Sequence, residues 1–176
     1  MACNTLLAME IYMASNAYGR QVVVKRQDSM GYQINHVARL FAQALRVRVA
    51  PHGVVPGQFA QLLALYEQEG VTQNQLCDQV KIDQSTMAHT LQRMERDELI
   101  QRVPDPADRR RALIMLTDRA REVQDDLVNA ALRVNAVAMR GFTPEQVAVC
   151  LELVTRMIDN LEADGSEEEI SPREET

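Results

Sequence analysis

Tryptophan is absent from this 176-residue chain and aromatics make up only 4% of it, so a core must come from Leu, Val, Ile, Ala and the nine methionines. That composition favours helices over strands. No apolar run approaches the roughly 20 residues that span a bilayer. The short apolar patch near the N-terminus has no basic flank of the kind a secretion signal carries. No membrane partner is expected, and a cytoplasmic location is. Cys3, Cys77 and Cys150 are odd in number, far apart, and form neither a C-x-x-C pair nor a zinc spacing with His36, His52 or His89. Neither a metal nor another cofactor is therefore expected. The seven glycines are scattered rather than gathered in a phosphate-cradling loop, and no Ser, His and Asp arrangement stands out. These absences weigh against an enzyme.

The charge is unevenly placed. Residues 162–176 hold seven acids against Arg173 alone, which accounts for the whole net charge of −6 and leaves the rest of the chain neutral. Exposed charges are screened over about 8 to 10 Å, so an acidic tail does not cancel a distant basic patch. The length suits one domain with a real core and is short for two.

The organising stretch runs from Thr72 to Leu116. Leu76, Cys77, Val80 and Ile82 line one side of a first short helix and its turn; Met87, Leu91, Met94 and Leu99 recur at helical spacing on a second. Asp83 is a good cap for that second helix, which begins at about Gln84. Thr86, His89, Thr90 and Arg93 are then expected on its solvent-facing side. A polar stripe on a short, rigidly backed helix is what a major-groove reader needs. Leu99 to Val103 and Arg111 to Leu116 read as the two strands of a hairpin, with turn residues 104–108 between them. Arg109, Arg110 and Arg111 lie together at the base of its loop. Adjacent guanidiniums favour an anionic partner such as DNA, although a run of charge is often simply a solvated turn.

The run from Asp105 to Thr117 resembles the wing signature of the MarR (multiple-antibiotic-resistance regulator) family, and the helix pair before it resembles that family's helix-turn-helix. The resemblance extends from about Gly31 to about Asp164. It implies a mainly α fold with a small β wing, in which a winged helix-turn-helix domain joins a helical dimerisation region. The implied function is a dimeric, sequence-specific DNA-binding regulator, usually a repressor relieved by a small ligand or by oxidation. By the same resemblance, Gln84, Ser85, Thr86, His89, Thr90 and Arg93 form the reading helix. Arg110 is the wing arginine of the minor groove, with Asp108 bracing it and Arg109 and Arg111 beside it. His89 stands where the family often has Arg, which alters the base preference implied there.

On this reading residues 1–30 are an N-terminal extension, 31–54 and 118–164 form the dimerisation region, 55–117 the DNA-binding domain, and 165–176 a disordered acidic tail. Residues 22–24 suggest a short extended piece. Tyr32 to Ala50 reads as a helix ended by Pro51, His52 and Gly53, and Pro56 opens another after Val55, a poor cap where the family often has Thr or Ser. Thr117 caps a long helix reaching about Ala138. Thr143 and Pro144 open the last helix, whose Val147, Leu151, Val154, Met157, Ile158 and Leu161 share a face. Helices this apolar on so small a domain call for a second copy to cover them. The resemblance places an effector crevice near the first two helices. His36, Arg39 and Arg46 would supply its polar groups, and Phe41, Phe59 and Leu63 its apolar wall. A small, aromatic or anionic effector and a pseudo-palindromic double-stranded operator are the implied partners. Two alternatives stay open: a thiol-based redox regulator, and a protein-interaction module that keeps the fold without binding DNA.

Overall fold

The computed structural model describes residues 25–170. The expectations for residues 1–24 and 171–176 lie outside that range. Helices α1 (Met30–Val49), α2 (Pro56–Glu67), α3 (Gln73–Val80) and α4 (Gln84–Arg96) precede the wing. Strands β2 (Ile100–Pro104) and β3 (Ala112–Leu116) form it, and β1 (Val71–Thr72) pairs with β3 from before α3. Helices α5 (Asp118–Glu122), α6 (Gln124–Ala138) and α7 (Pro144–Ile170) follow. The chain forms two compact units, divided between Val134 and Asn135.

Several helix starts have a local chemical reason. Ser29 accepts from the Tyr32 N–H at 3.3 Å and starts α1. Val55 has no side-chain acceptor for α2; its carbonyl accepts the Gln58 N–H at 2.9 Å, and Gln58 Oε1 in turn accepts the Val55 N–H at 3.1 Å. That carboxamide is fully buried, and its Nε2 donates to Asp97 Oδ2 at 2.8 Å. Thr72 and Gln75 form a reciprocal capping box on α3.

The core of the first unit lies between the helix-turn-helix and the sheet. Leu76, Met87, Leu91 and Met94 are wholly buried there with Leu62, Ile114 and Leu127. Burying each such side chain stabilises the fold by about 2 kcal/mol. Leu99 is equally buried, yet it lies beyond the end of α4 rather than on it. The sheet order is β1-β3-β2, antiparallel, with Ile100 opposite Leu116 and Val103 opposite Leu113.

Two elements differ from the sequence reading. The helix expected from Thr117 to Ala138 is broken at Val123 into α5 and α6. Arg119 and Arg121 fasten the first piece to the domain: Arg121 binds the Leu116 carbonyl and pairs with Glu69, and Leu116 N–H donates to the same carboxylate. Hydrophobic spacing runs unbroken through such a turn, so it gave no sign of the break. The last helix also continues to Ile170, where a disordered tail was expected from Gly165.

Arg119 joins four segments. Its guanidinium donates to the carbonyl of Asp97, the residue that ends α4, and to the carbonyl of His52, in the turn after α1, at 3.1 Å. Asp97 is in turn held by Gln58 of α2. Gly53 adopts φ 71°, and a Cβ there would lie 2.6 Å from Arg119 Nη2. Only glycine meets both the backbone and the space requirement. Arg119→Ala should lower stability by about 2 to 4 kcal/mol, through two lost charge-assisted hydrogen bonds. Gly53→Ala should cost about 1 to 2 kcal/mol. Urea unfolding followed by circular dichroism measures both, and a change under about 0.5 kcal/mol for Arg119→Ala would remove it as a structural tie.

Candidate nucleic-acid interface

The exposed face of α4 begins at a strong cap. Asp83 Oδ1 accepts from the Thr86 N–H at 2.9 Å and from the Ser85 hydroxyl at 2.8 Å, so two of the expected contact residues are positioned by one carboxylate. Those hydrogen bonds hold the Asp83 carboxyl well below the usual carboxylate range. Gln84, Ser85, Thr86, His89 and Arg93 are all exposed.

Thr90 is not. It is 2% exposed, and the spacing explains why: Met87, Thr90, Leu91 and Met94 stand at i, i+3, i+4 and i+7 on the buried side. Its hydroxyl accepts from Arg93 Nη2 at 3.3 Å, which steadies the arginine. Gln92, passed over in the sequence reading, is exposed and three residues from His89, a spacing that adds it to the stripe.

The wing loop is organised by Asp105, only 5% exposed. One of its oxygens accepts the Ala107 N–H at 2.8 Å and the other takes the Arg111 guanidinium at 2.6 Å. The ion pair and the loop amide lower the Asp105 carboxyl, and the same carboxylate raises the Arg111 guanidinium. Arg111 is therefore engaged within the wing, not presented as a third equivalent cation. Asp108 meets Arg110 through the backbone: its carboxylate accepts the Arg110 N–H at 3.0 Å and so braces the loop. Arg109 and Arg110 are exposed, with no carboxylate partner among the described residues.

The two helices of the helix-turn-helix are tied where they begin. Gln73 at the start of α3 donates to Gln84 Oε1 at 3.1 Å, linking the first turns of α3 and α4. The residues expected to line an effector crevice are not gathered in this way. His36, Arg39 and Arg46 are exposed on α1, Phe41 is half-buried, Phe59 is in the core, and Leu63 lines a separate cleft on α2 with none of the other five. Cys77 is buried, and desolvation, with Asp78 and Asp83 nearby, raises its thiol pKa and keeps it an unreactive filler.

A helix-turn-helix with a polar exposed face, backed by a three-stranded wing, defines the class as a winged-helix regulator. The model of the MarR family matches residues 52–111. The transcriptional repressor NicR of Pseudomonas putida is 30% identical over 61% of this chain and 68% of its own length. The PcaV regulator of Streptomyces coelicolor, solved with its natural ligand, is 28% identical, with a TM-score of 0.70 over 79% of this chain and 98% of that one. A Listeria monocytogenes protein solved with a 26mer DNA shares the fold at 21% identity, TM-score 0.73, over 84% of this chain and 99% of that one. The chain belongs to the MarR family of transcriptional regulators.

The lowered carboxyl of Asp83 fixes a pH dependence. A depressed folded-state value adds stability above the unfolded carboxylate pKa of roughly 3.9 and loses it as pH falls through the folded value. The stability advantage of wild type over Asp83→Asn should therefore be constant above about pH 5 and shrink steadily below about pH 4. Thermal unfolding across that range checks it, and a difference independent of pH would mean the cap does not depend on ionisation.

Proposed function

We propose that this protein is a homodimeric repressor that binds a pseudo-palindromic operator and is released by a small ligand. The observation that carries the DNA reading is the pairing of an exposed polar face on α4 with a braced wing bearing two unpartnered arginines. Ser85, Thr86 and His89 read base edges in the major groove, Arg93 holds phosphate, and Arg110 enters the minor groove. That a Listeria protein of the same fold was solved with a 26mer DNA supports a DNA partner.

Dimerisation is supported by apolar surface on two helices. Ile34, Val37, Leu40 and Val47 are exposed on α1, and Leu151, Val154, Ile158 and Leu161 on α7, the last being 72% exposed. Helix faces of this kind are stable in water when a symmetric copy covers them. The repressor role follows NicR, and the ligand response follows PcaV. An effector near His36, Arg39, Arg46, Phe41, Phe59 and Leu63 requires a pocket completed by the partner chain. Acting on chromosomal DNA, the protein works in the cytoplasm.

A gel shift across salt concentrations tests the reading. Arg110→Ala should weaken operator binding by about 1 to 3 kcal/mol without changing the oligomer. Arg93→Ala should weaken binding to all sequences alike and flatten the dependence of log K on log salt, whereas changes at Thr86 and His89 should shift base preference. Equal, sequence-independent losses for all of them would show that the α4 face is not a reader.

Assembly has its own test. Leu151→Asp and Val154→Asp place an uncompensated charge on the α7 face, so each should give monomer or insoluble protein by light scattering. A well-folded dimer from either would place the interface elsewhere.

A further inference from the structure

An open cleft of about 540 Å³ lies between the first turn of α3, residues 72–75, and the wing strands, where Arg102, Arg110 and Arg111 line it. No acidic side chain lines it. From this cleft we infer that Arg102 is a further DNA-contacting residue, and that the cleft seats a backbone phosphate of the strand lying between the recognition helix and the wing. The inference rests on the DNA reading above and deepens it.

The geometry of a duplex supplies the first argument. Each sugar-phosphate strand separates the major groove from the minor groove, so a protein with one element in each must straddle a strand. Here the cleft occupies that intermediate place. Its α3 wall is hydrogen-bonded through Gln73 to Gln84, the first residue of α4, and its other wall is the root of the wing.

The chemistry of the walls supplies the second. Arg111 is held by Asp105, and Arg110 is assigned to the minor groove, which leaves Arg102 as the cation for the cleft. Among the described residues its carboxylate contact is Glu95 at 3.6 Å, and both side chains are partly exposed. A loose, solvated pair of that kind opens at little cost when phosphate arrives. Gln75 adds a donor: its Oε1 already accepts the Thr72 N–H at 2.8 Å and the Thr72 hydroxyl at 3.0 Å, so its NH2 is the group left to offer. A wall of guanidinium and amide donors without an acid suits a phosphodiester.

The test measures operator and unrelated duplex binding by fluorescence anisotropy across a salt series, using the full-length chain. Arg102→Ala should lower affinity for both duplexes by a similar factor. It should also reduce the slope of log K against log salt by about 2, one phosphate for each protomer of the dimer. Arg102→Lys should restore most of that slope, and Glu95→Gln should leave it unchanged. Single methylphosphonates placed along the operator localise the contact: one position in each half-site should weaken wild-type binding yet have no further effect on Arg102→Ala. An unaltered salt slope, or losses that add at every methylphosphonate position, would overturn the assignment while leaving the DNA reading intact. If Glu95→Gln copies Arg102→Ala and lysine does not rescue, Arg102 only supports the wing and the inference fails. Absence of salt-dependent DNA binding by the wild type would overturn the DNA reading itself, and the cleft with it.

Discussion

One guanidinium ties together segments that lie far apart in the sequence. Arg119 ties the carbonyl that ends the recognition helix to the carbonyl in the turn after α1, while Gln58 fixes the side chain of the same Asp97. A cation serving two backbone acceptors in a half-buried place is worth more than either contact at the surface, because the alternative is carbonyls left without partners. It also restricts motion. With Gly53 packed against it, the end of α1 and the end of α4 cannot shift independently. If two copies meet along α1, as proposed, a change in how they meet would thus be transmitted to α4. In the proposed mechanism, a ligand releases DNA only through its differential affinity for one arrangement of the recognition helices.

The wing shows a second division of labour. Three consecutive arginines look equivalent as a charge run, yet Asp105 takes one of them into the loop and uses it to fix the loop's shape. The remaining two stay exposed on a backbone braced by Asp108. Rigidity here has energetic value, since a preordered loop loses less conformational entropy on binding. The same economy appears at Asp83, where one carboxylate caps the helix and orients Ser85.

Much of this was legible from residue order because local rules decide it. Helical spacing marked Leu76, Met87, Leu91 and Met94 as core, and the capping residues Asp83, Thr117 and Thr143 each start a helix. What escaped the sequence depends on side-chain contacts that residue spacing does not encode. Nothing local shows that Arg111 meets Asp105 or that Arg119 reaches His52. The break at Val123 follows from such anchoring and not from any helix-breaking residue. Thr90 is a different case, since its spacing placed it inside and its hydroxyl suggested outside. The six residues proposed for the effector are not gathered within one chain, Phe59 being buried in the core and Leu63 lining a cleft without the others.

The apolar faces on α1 and α7 and the polar face on α4 lead to one central claim, that two copies present two reading helices to one duplex. The most direct measurement is to select fragments from a random DNA pool with the purified protein and sequence those it retains. The account predicts an inverted repeat whose half-sites are centred about one helical turn, roughly 34 Å, apart. Retained DNA with no shared sequence, or with a single unrepeated half-site, would contradict it.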